Sequence, residues 1–346
     1  MNESGLGRED RRALAFRVTV FVLVLFSLAL LLVWSKVQTL LRPADTGSTE
    51  TVVVEVRSGS TSADIAEDLA RKGLIRSAAA FRMLARYRGL DGRLQAGEYR
   101  LSASMEPGEI LEKMARGEVV TYTFTIPEGY TVEEIARKLA AEGFVDREEF
   151  LRVAREEGLR PEFVPKDVEL KEPLEGYLFP ETYQVTKGAG EKEIIRIMVE
   201  RFQAIFKPEY GRRAQELGLT VHQVVTLASI IEEEAMVDEE RPLISAVYHN
   251  RLRIGMKLDA DPTLKYVLTD GPRPLTDADK GMDSPYNTYR FGGLPPGPIS
   301  NPGEASIRAA LYPAEVDYLY FVSKNDGTHQ FSKTYREHLR NVARYR

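Results

Sequence analysis

Three consecutive carboxylates follow an apolar run in the segment "TLASIIEEEAMV", residues 226–237. A positioned carboxyl group can donate a proton to a leaving oxygen or take one from a hydroxyl. We expect a helix that begins after Thr220, a residue type favoured as an N-cap. A helical wheel at about 100° per residue places Glu232 inside the apolar stripe, with Glu233 and Glu234 on its flanks. Glu232 should therefore point into the protein, and the other two should be solvated or paired.

A carboxylate on the core side of a helix has two interpretations, because burying it is costly unless it is paired or protonated. In the structural interpretation, Glu232 forms a buried salt bridge, for instance with Arg251 or Arg253. In the catalytic interpretation, burial keeps Glu232 protonated near neutral pH, so that it serves as a general acid. The small neighbours Ala228 and Ser229 favour a cleft beside the helix.

The composition excludes several other chemistries. The chain of 346 residues contains no Cys and four His, and its formal net charge is −5. Disulfides, Cys-bound zinc and a thiol nucleophile are thereby excluded, and no HxxxH or HxH spacing suggests a His-built metal site. We expect neither a metal nor a cofactor. Nucleic-acid binding is not expected either, because it requires a basic face.

The N-terminal segment "VTVFVLVLFSLALLLVW" carries no charge over 17 residues. As a helix it would span about 26 Å, slightly less than the roughly 30 Å hydrocarbon core of a bilayer. Four arginines precede it and few basic residues follow, which places the N-terminus in the cytoplasm and the remainder outside. No A-x-A-like cleavage site follows, which favours an anchor over a cleaved signal peptide. The predicted segments are a cytoplasmic N-terminus (1–17), a transmembrane helix (18–34) and a linker (35–50).

Two segments at an offset of 70 residues resemble each other: "VEVRSGSTSADIAEDLARKGLI" (54–75) and "FTIPEGYTVEEIARKLAAEGFV" (124–145). Each predicts a strand, a glycine turn, a capped helix and then a second short helix, a β-α-α unit used twice. Between the copies we expect a strand, a turn at Pro107-Gly108 and a helix, and residues 161–190 should be loop-rich. The predicted helix boundaries are Ser60 or Thr61 with Gly73 in the first copy, and Thr131 with Gly143 in the second.

Four blocks in the C-terminal half occur in a specific order: "ASIIEEEA", "VYHNRLRIGMKLDADPT", "YNTYRFGGLPPGPISNPG" and "YLYFV…GTHQFSKTYREH". Together they resemble the successive signatures of the endolytic murein transglycosylases, the MltG or YceG-like family. The resemblance covers residues 18–346. It includes a single membrane anchor and small modules similar to LysM, a strand–helix–helix fold that binds glycan.

The resemblance implies an α+β fold with a LysM-like module (51–120) and a mixed α+β catalytic domain (121–346), whose first part (121–160) repeats the β-α-α unit. It implies an enzyme that cleaves the MurNAc–GlcNAc bond in nascent peptidoglycan strands, leaves 1,6-anhydro-MurNAc ends and ends glycan elongation. The protein would lie in the bacterial cytoplasmic membrane with its catalytic domain outside. Its partners would be peptidoglycan strands, the membrane and peptidoglycan synthases (penicillin-binding proteins).

In this family the first Glu of "SIIEEE" is the catalytic acid, which corresponds to Glu232. Asp261 and Thr263 in "DADPT" could hold sugar hydroxyls, or Asp261-Pro262 could instead form a helix N-cap. Asn287 and Tyr289 in "YNTY" offer an amide and a phenol suited to N-acetyl groups. These four are the predicted substrate-binding residues.

Two other functions remain compatible with the sequence. A non-catalytic scaffold of wall synthesis would use the modules to bind peptidoglycan and would leave Glu232 in a salt bridge. A muramidase would need a second carboxylate at a defined distance, for which Asp259 and Asp261 are available. In every case we expect the two β-α-α modules to position glycan or partners rather than to form the catalytic unit.

Overall fold

The computed structural model describes residues 8–268, 271 and 273–345. The chain forms two compact units, of which the first ends at Tyr122 and the second begins at Thr123. The fold is mixed α+β, as predicted. The described strands form three two-stranded sheets, β1-β2, β3-β4 and β5-β6.

Helix α1 (Arg8–Leu40) contains the apolar segment predicted to cross a membrane. The part that is apolar and long enough to span a bilayer is Phe16–Leu40. Its 25 residues correspond to about 38 Å of helix, and its most apolar stretch is not buried against the rest of the protein. The helix extends beyond the predicted transmembrane segment, residues 18–34, and the limits of the part inside the membrane stay a prediction. The helix continues through Ser35–Leu40, because no glycine or proline interrupts it before Pro43.

The remainder of the first unit is a strand–helix–helix–strand arrangement followed by one more helix. Strand β1 pairs antiparallel with β2, and Val54 lies opposite Tyr99. Both side chains are buried in a core that residues of α2, α3 and α4 complete. The elements are β1 (Val52–Val56), α2 (Ser62–Arg71), α3 (Ala78–Tyr87), β2 (Gly97–Leu101) and α4 (Pro107–Ala115).

Capping residues set the limits of these helices. Thr61 forms a reciprocal capping box with Asp64, which confirms the predicted start of α2. Gly73 follows α2 with a φ of +71°, a conformation that glycine adopts without a Cβ penalty. The predicted turn at Pro107-Gly108 is wrong. Pro107 is the first residue of α4, since its fixed φ and missing N–H suit the first helical turn.

The second unit begins with the repeated β-α-α unit, as predicted. Thr131 and Glu134 form the predicted capping box of its first helix. A closing strand, β4, lies inside the segment that was expected to be only loop-rich, residues 161–190. The elements are β3 (Thr121–Thr125), α5 (Val132–Ala141), α6 (Arg147–Ala154), β4 (Thr182–Thr186) and α7 (Glu191–Ile205).

The rest of the second unit is built around α9, the helix that carries the three glutamates. Thr220 caps it in a reciprocal capping box with Gln223, which confirms its predicted start. Residues from Val224 to Ile231 are buried, and α9 packs against α10 and α13. The elements are α8 (Pro208–Glu216), α9 (Val221–Glu234), α10 (Arg241–Arg253), α11 (Asp261–Lys265), α12 (Asp277–Lys280), α13 (Glu304–Leu311), β5 (Tyr320–Ser323), β6 (His329–Ser332) and α14 (Tyr335–Tyr345).

Candidate active site

Glu232 lies near the C-terminal end of α9, and its side chain is only 7% exposed. The prediction that it points into the protein is therefore confirmed. Its Oε1 lies 3.1 Å from Nη1 of Arg241, and its Oε2 accepts a hydrogen bond of 2.9 Å from the backbone N–H of Gly303. The buried salt bridge of the structural interpretation is therefore present, but its partner is Arg241 and not Arg251 or Arg253.

Arg241, the first residue of α10, is itself fixed by further contacts. Its Nε donates to Asp238 at 3.0 Å, and its Nη1 donates to the Ser306 hydroxyl at 2.6 Å. Because the guanidinium is held on three sides, it fixes the position of the Glu232 carboxylate. Each carboxylate oxygen of Glu232 thus receives one donor, an arrangement suited to a charged group.

A cavity of about 500 Å³ opens beside Glu232. The loop between β3 and α5 forms one wall, and α9 and α11 form the others. The second β-α-α module was expected to position glycan or partners rather than to form the catalytic unit, but its loop and helix start line this cavity. The lining residues are Glu128, Gly129, Tyr130, Thr131, Glu134, Glu232, Glu233, Pro262, Lys265, Tyr266 and Ile299.

Glu128 is a second carboxylate in this cavity that the sequence reasoning missed. Its side chain lies against Gly303, where an added Cβ would collide with the carboxylate. Burial and the nearby charge of Glu232 raise the pKa of Glu128. Comparison of the two repeats could have identified Glu128. The equivalent residue of the first copy is Ser58, so only the second copy carries an acid at this position.

Glu233 is exposed and Glu234 is paired, in agreement with the prediction that both are solvated or paired. Glu233 is solvent-accessible on the cavity wall, yet the protein around it, followed by the charge of Glu232, raises its pKa to about 7. Glu234 accepts a hydrogen bond of 3.0 Å from the buried Tyr248 hydroxyl. Burial raises the pKa of Glu234 to about 7 as well.

A second cavity, of about 590 Å³, adjoins the first and shares five of its lining residues. Glu175, which is 2% exposed, lines this second cavity. Its carboxylate accepts hydrogen bonds from the Val132 N–H at 3.0 Å, the Asn301 side chain at 3.1 Å and the Tyr266 hydroxyl at 3.0 Å. Burial raises the pKa of Glu175 to about 8. Through these contacts, Glu175 connects the start of α5 to Tyr266 and Asn301. The sequence did not predict them. The five shared residues are Thr131, Glu134, Glu233, Lys265 and Tyr266.

The structure brings Asp261 and Tyr289 together, with the Tyr289 hydroxyl donating to the Asp261 carboxylate. Thr263 is fully buried, and its hydroxyl donates to the Ala260 carbonyl at 2.8 Å. Helix α11 begins at Asp261 with Ala260 as its N-cap, one residue before the N-cap considered from the sequence, Asp261-Pro262.

Asn287 is also fully buried. Its amide nitrogen donates to the carbonyls of Lys280 and Met282 at 3.0 and 2.7 Å, and its oxygen accepts from the Tyr289 N–H at 3.0 Å. None of the four predicted substrate-binding residues lines either cavity described above. Their contact with substrate therefore stays a prediction.

Asp259, one of the two predicted second carboxylates, lies 3.5 Å from Arg251 in an ion pair. Neither Asp259 nor Asp261 lines the cavity with Glu232. Across residues 8–268, 271 and 273–345, no group of three or more His, Asp or Glu side chains is placed to hold a metal ion.

Comparison with known proteins shows the family to which this chain belongs. Residues 54–344 match the YceG-like family, and the chain belongs to that family. Two relatives are named endolytic murein transglycosylase. The protein of Bacillus subtilis (strain 168) is 35% identical over 322 residues, covering 89% of this chain and 88% of that protein. The protein of Streptococcus pneumoniae serotype 2 (strain D39 / NCTC 7466) is 32% identical over 333 residues, covering 88% of this chain and 60% of the relative.

A solved structure shows the same fold. The 2.6 Å crystal structure of a YceG-like protein from Listeria monocytogenes is 36% identical and superposes with a TM-score of 0.59. The match covers 85% of this chain and 99% of that one. The fold of the matched region is therefore shared within the family.

Proposed function

We propose that this chain is an endolytic murein transglycosylase, which cleaves the MurNAc–GlcNAc bond within peptidoglycan strands and leaves a 1,6-anhydro-MurNAc end. The observation that carries the proposal is Glu232, a buried carboxylate fixed by Arg241 and the Gly303 N–H at the wall of an open cavity. Family membership and the names of the curated relatives support the reaction.

The reaction needs one group to protonate the leaving oxygen and one to take the proton from the C6 hydroxyl of the same MurNAc. In the simplest scheme Glu232 performs both transfers in turn. No water attacks C1, so the pair of carboxylates that ordinary glycoside hydrolysis requires is not obligatory. Proton transfer by a positioned group contributes about 10²- to 10⁴-fold to the rate, and positioning of the strand supplies much of the remainder.

The two adjoining cavities support cleavage within a strand rather than at its end. Their shared wall, which includes Thr131, Lys265 and Tyr266, joins them into a groove longer than the immediate surroundings of Glu232. A glycan strand could continue through such a groove on both sides of the cleaved bond. The four predicted substrate-binding residues would then act from α11 (Asp261 and Thr263) and from the loop after α12 (Asn287 and Tyr289).

The strand–helix–helix modules are proposed to be LysM-like and to bind glycan. In the first unit, β1 and β2 enclose two helices in sequence and pair antiparallel, and the module has its own apolar core. In the second unit, the module also contributes the β3–α5 loop to the cavity. The first module, residues 51–120, would hold the strand, and the domain 121–346 would cleave it.

Helix α1 is proposed to anchor the enzyme in the bacterial cytoplasmic membrane. Its Phe16–Leu40 segment has the length and composition of a single span, and the arginines before it favour a cytoplasmic N-terminus. The catalytic unit would then face nascent peptidoglycan outside. Penicillin-binding proteins that synthesise the strands are the expected partners, and cleavage would end glycan elongation.

Mass spectrometry of products from purified glycan strands in ¹⁸O-labelled water tests the proposal. We expect the new MurNAc end to be unlabelled and lighter than a reducing end by one water. A labelled reducing end would instead identify a muramidase. The absence of cleavage together with retained strand binding would identify a scaffold.

A further inference from the structure

Two carboxylates of the cavity meet on one residue, Gly303, which directly precedes α13. The Gly303 N–H donates to Oε2 of Glu232 at 2.9 Å. The Glu128 carboxylate covers the position where a Cβ of residue 303 would stand. A side chain there would displace Glu128, so glycine allows both carboxylates to approach the same backbone segment.

The two carboxylates have opposite environments. Glu232 is nearly inaccessible and receives donors from Arg241 and Gly303. Glu128 is exposed to the cavity and accepts a hydrogen bond from no residue in the described part of the chain. Such a group is free to hold a proton and to turn it toward a ligand in the cavity.

The charges facing Glu128 come from several elements. Glu232 on α9 and Asp238 in the turn before α10 oppose its ionisation, whereas Arg241 on α10 favours it. Glu134 on α5 and Glu233 on α9 line the same cavity. The balance, together with burial, raises the pKa of Glu128, while the contacts of Glu232 suit a carboxylate anion.

We propose that Glu128 is a second catalytic residue of this cleft, which protonates the leaving oxygen while Glu232 accepts the proton of the C6 hydroxyl. The inference rests on the proposed function. The bond from C1 to the GlcNAc oxygen breaks, and that oxygen takes the proton of Glu128. The C6 oxygen bonds to C1, and its proton passes to Glu232. A return of the proton from Glu232 to Glu128 restores the enzyme without water being consumed.

The chemistry of the product fits two carboxyl groups side by side. The leaving oxygen and the bridging C6 oxygen occupy the same face of the sugar ring, so the donor and the acceptor must approach from one side. Glu128 and Glu232 converge on one residue, as that requires. A Glu232 held as an anion by Arg241 also stabilises the positive charge that develops at C1. Two carboxyl groups that lie in different environments commonly divide acid and base roles.

Leaving-group dependence tests the division of roles in the full-length protein. Two substrates are compared: natural glycan strands, and a GlcNAc–MurNAc oligomer with 2,4-dinitrophenolate at C1 of its terminal MurNAc, which leaves without protonation. We expect Glu128→Gln to lose about 10²- to 10⁴-fold on natural strands and to stay within about tenfold of wild type on the activated substrate. Glu232→Gln should be impaired on both substrates.

Glu142→Gln is the matched control, because it makes the same Glu-to-Gln change in the same module. Glu142 lies at the end of α5 and pairs with Lys138 away from the cavity. The Glu142→Gln protein should be as active as wild type on both substrates. Glu128→Asp, which keeps the carboxyl group but shortens it, should show an intermediate loss on natural strands. Melting temperatures of all variants separate a loss of chemistry from a loss of fold.

The outcomes distinguish the inference from the proposed function. If wild type forms 1,6-anhydro ends and Glu128→Gln does so at the wild-type rate, the inference is overturned and the function stands. An equal loss on both substrates for a folded Glu128→Gln protein would also overturn the proton-donor role. If wild type forms labelled reducing ends, the proposed function fails instead, whatever the variant does.

Discussion

Replacing Glu232 by Gln removes one charge and one acceptor from the centre of the cleft while preserving shape. In wild type, Oε1 faces Arg241 and Oε2 accepts the Gly303 N–H. The amide of Gln has one oxygen, so one of the two donors loses its acceptor. Arg241 keeps its contacts at 3.0 Å with Asp238 and at 2.6 Å with Ser306. Its charge is therefore not left without a partner.

The expected loss of stability follows from these contacts. Removing one partner of a buried ion pair costs about 3–5 kcal/mol when the other charge is left uncompensated. Here the remaining partners of Arg241 reduce the loss to that of one hydrogen bond to a charged group, about 1.5–3 kcal/mol. For a unit of this size that corresponds to a fall in melting temperature of about 3–12 °C. The fold should survive.

The expected loss of activity is larger. Gln can neither donate nor accept a proton in the reaction, so turnover should fall at least about 10²- to 10⁴-fold. The assay quantifies 1,6-anhydro ends by mass spectrometry, beside thermal unfolding of the same samples. Glu234→Gln is the control, because Gln still accepts from Tyr248 and Glu234 lines neither cavity. Retention of more than a few per cent of turnover by Glu232→Gln would refute the assignment.

Three further substitutions test the surroundings of the site. Gly303→Ala should lower kcat by displacing Glu128 and cost less than about 1 kcal/mol, since its φ of −73° suits alanine; unchanged kcat in steady-state assays would contradict this. Asn287→Ala should lower the melting temperature with little change in KM, because the amide binds backbone groups; a raised KM at unchanged melting temperature would support substrate contact. Burial raises the pKa of Glu175 in the folded state to about 8, from an ordinary value of 4.5, so its contribution to stability is present below about pH 4.5 and lost as pH rises toward 8. Glu175→Gln should therefore be stabilised relative to wild type as pH rises through that window, and parallel pH profiles of the two unfolding free energies would refute it.

The local features of the site could be predicted from the sequence. The cap at Thr220 and the apolar stripe placed Glu232 on the buried side of α9, and the structure confirms both. The β-α-α repeat and its caps at Thr61 and Thr131 are likewise observed. Caps and hydrophobic periodicity depend on residues within one or two turns of each other. Such features are therefore contained in a short stretch of sequence.

The partners of Glu232 could not be predicted in this way. A helical wheel gives the face of a helix but not the element that packs on it. Arg251 was a plausible partner by composition, yet its guanidinium donates to the carbonyls of Leu319 and Leu258. Arg241 reaches Glu232 only because the chain turns between α9 and α10 and brings the two helices together.

The sequence by itself determined that this chain carries an inward-facing glutamate on a capped helix, a repeated β-α-α unit and a long apolar N-terminal helix. Only the tertiary structure decided that Glu128, from the second repeat, shares Gly303 with Glu232, and that Asn287 is buried among backbone carbonyls. Both depend on contacts between residues far apart in the chain. Packing of whole elements fixes such contacts, and local propensity carries no information about them.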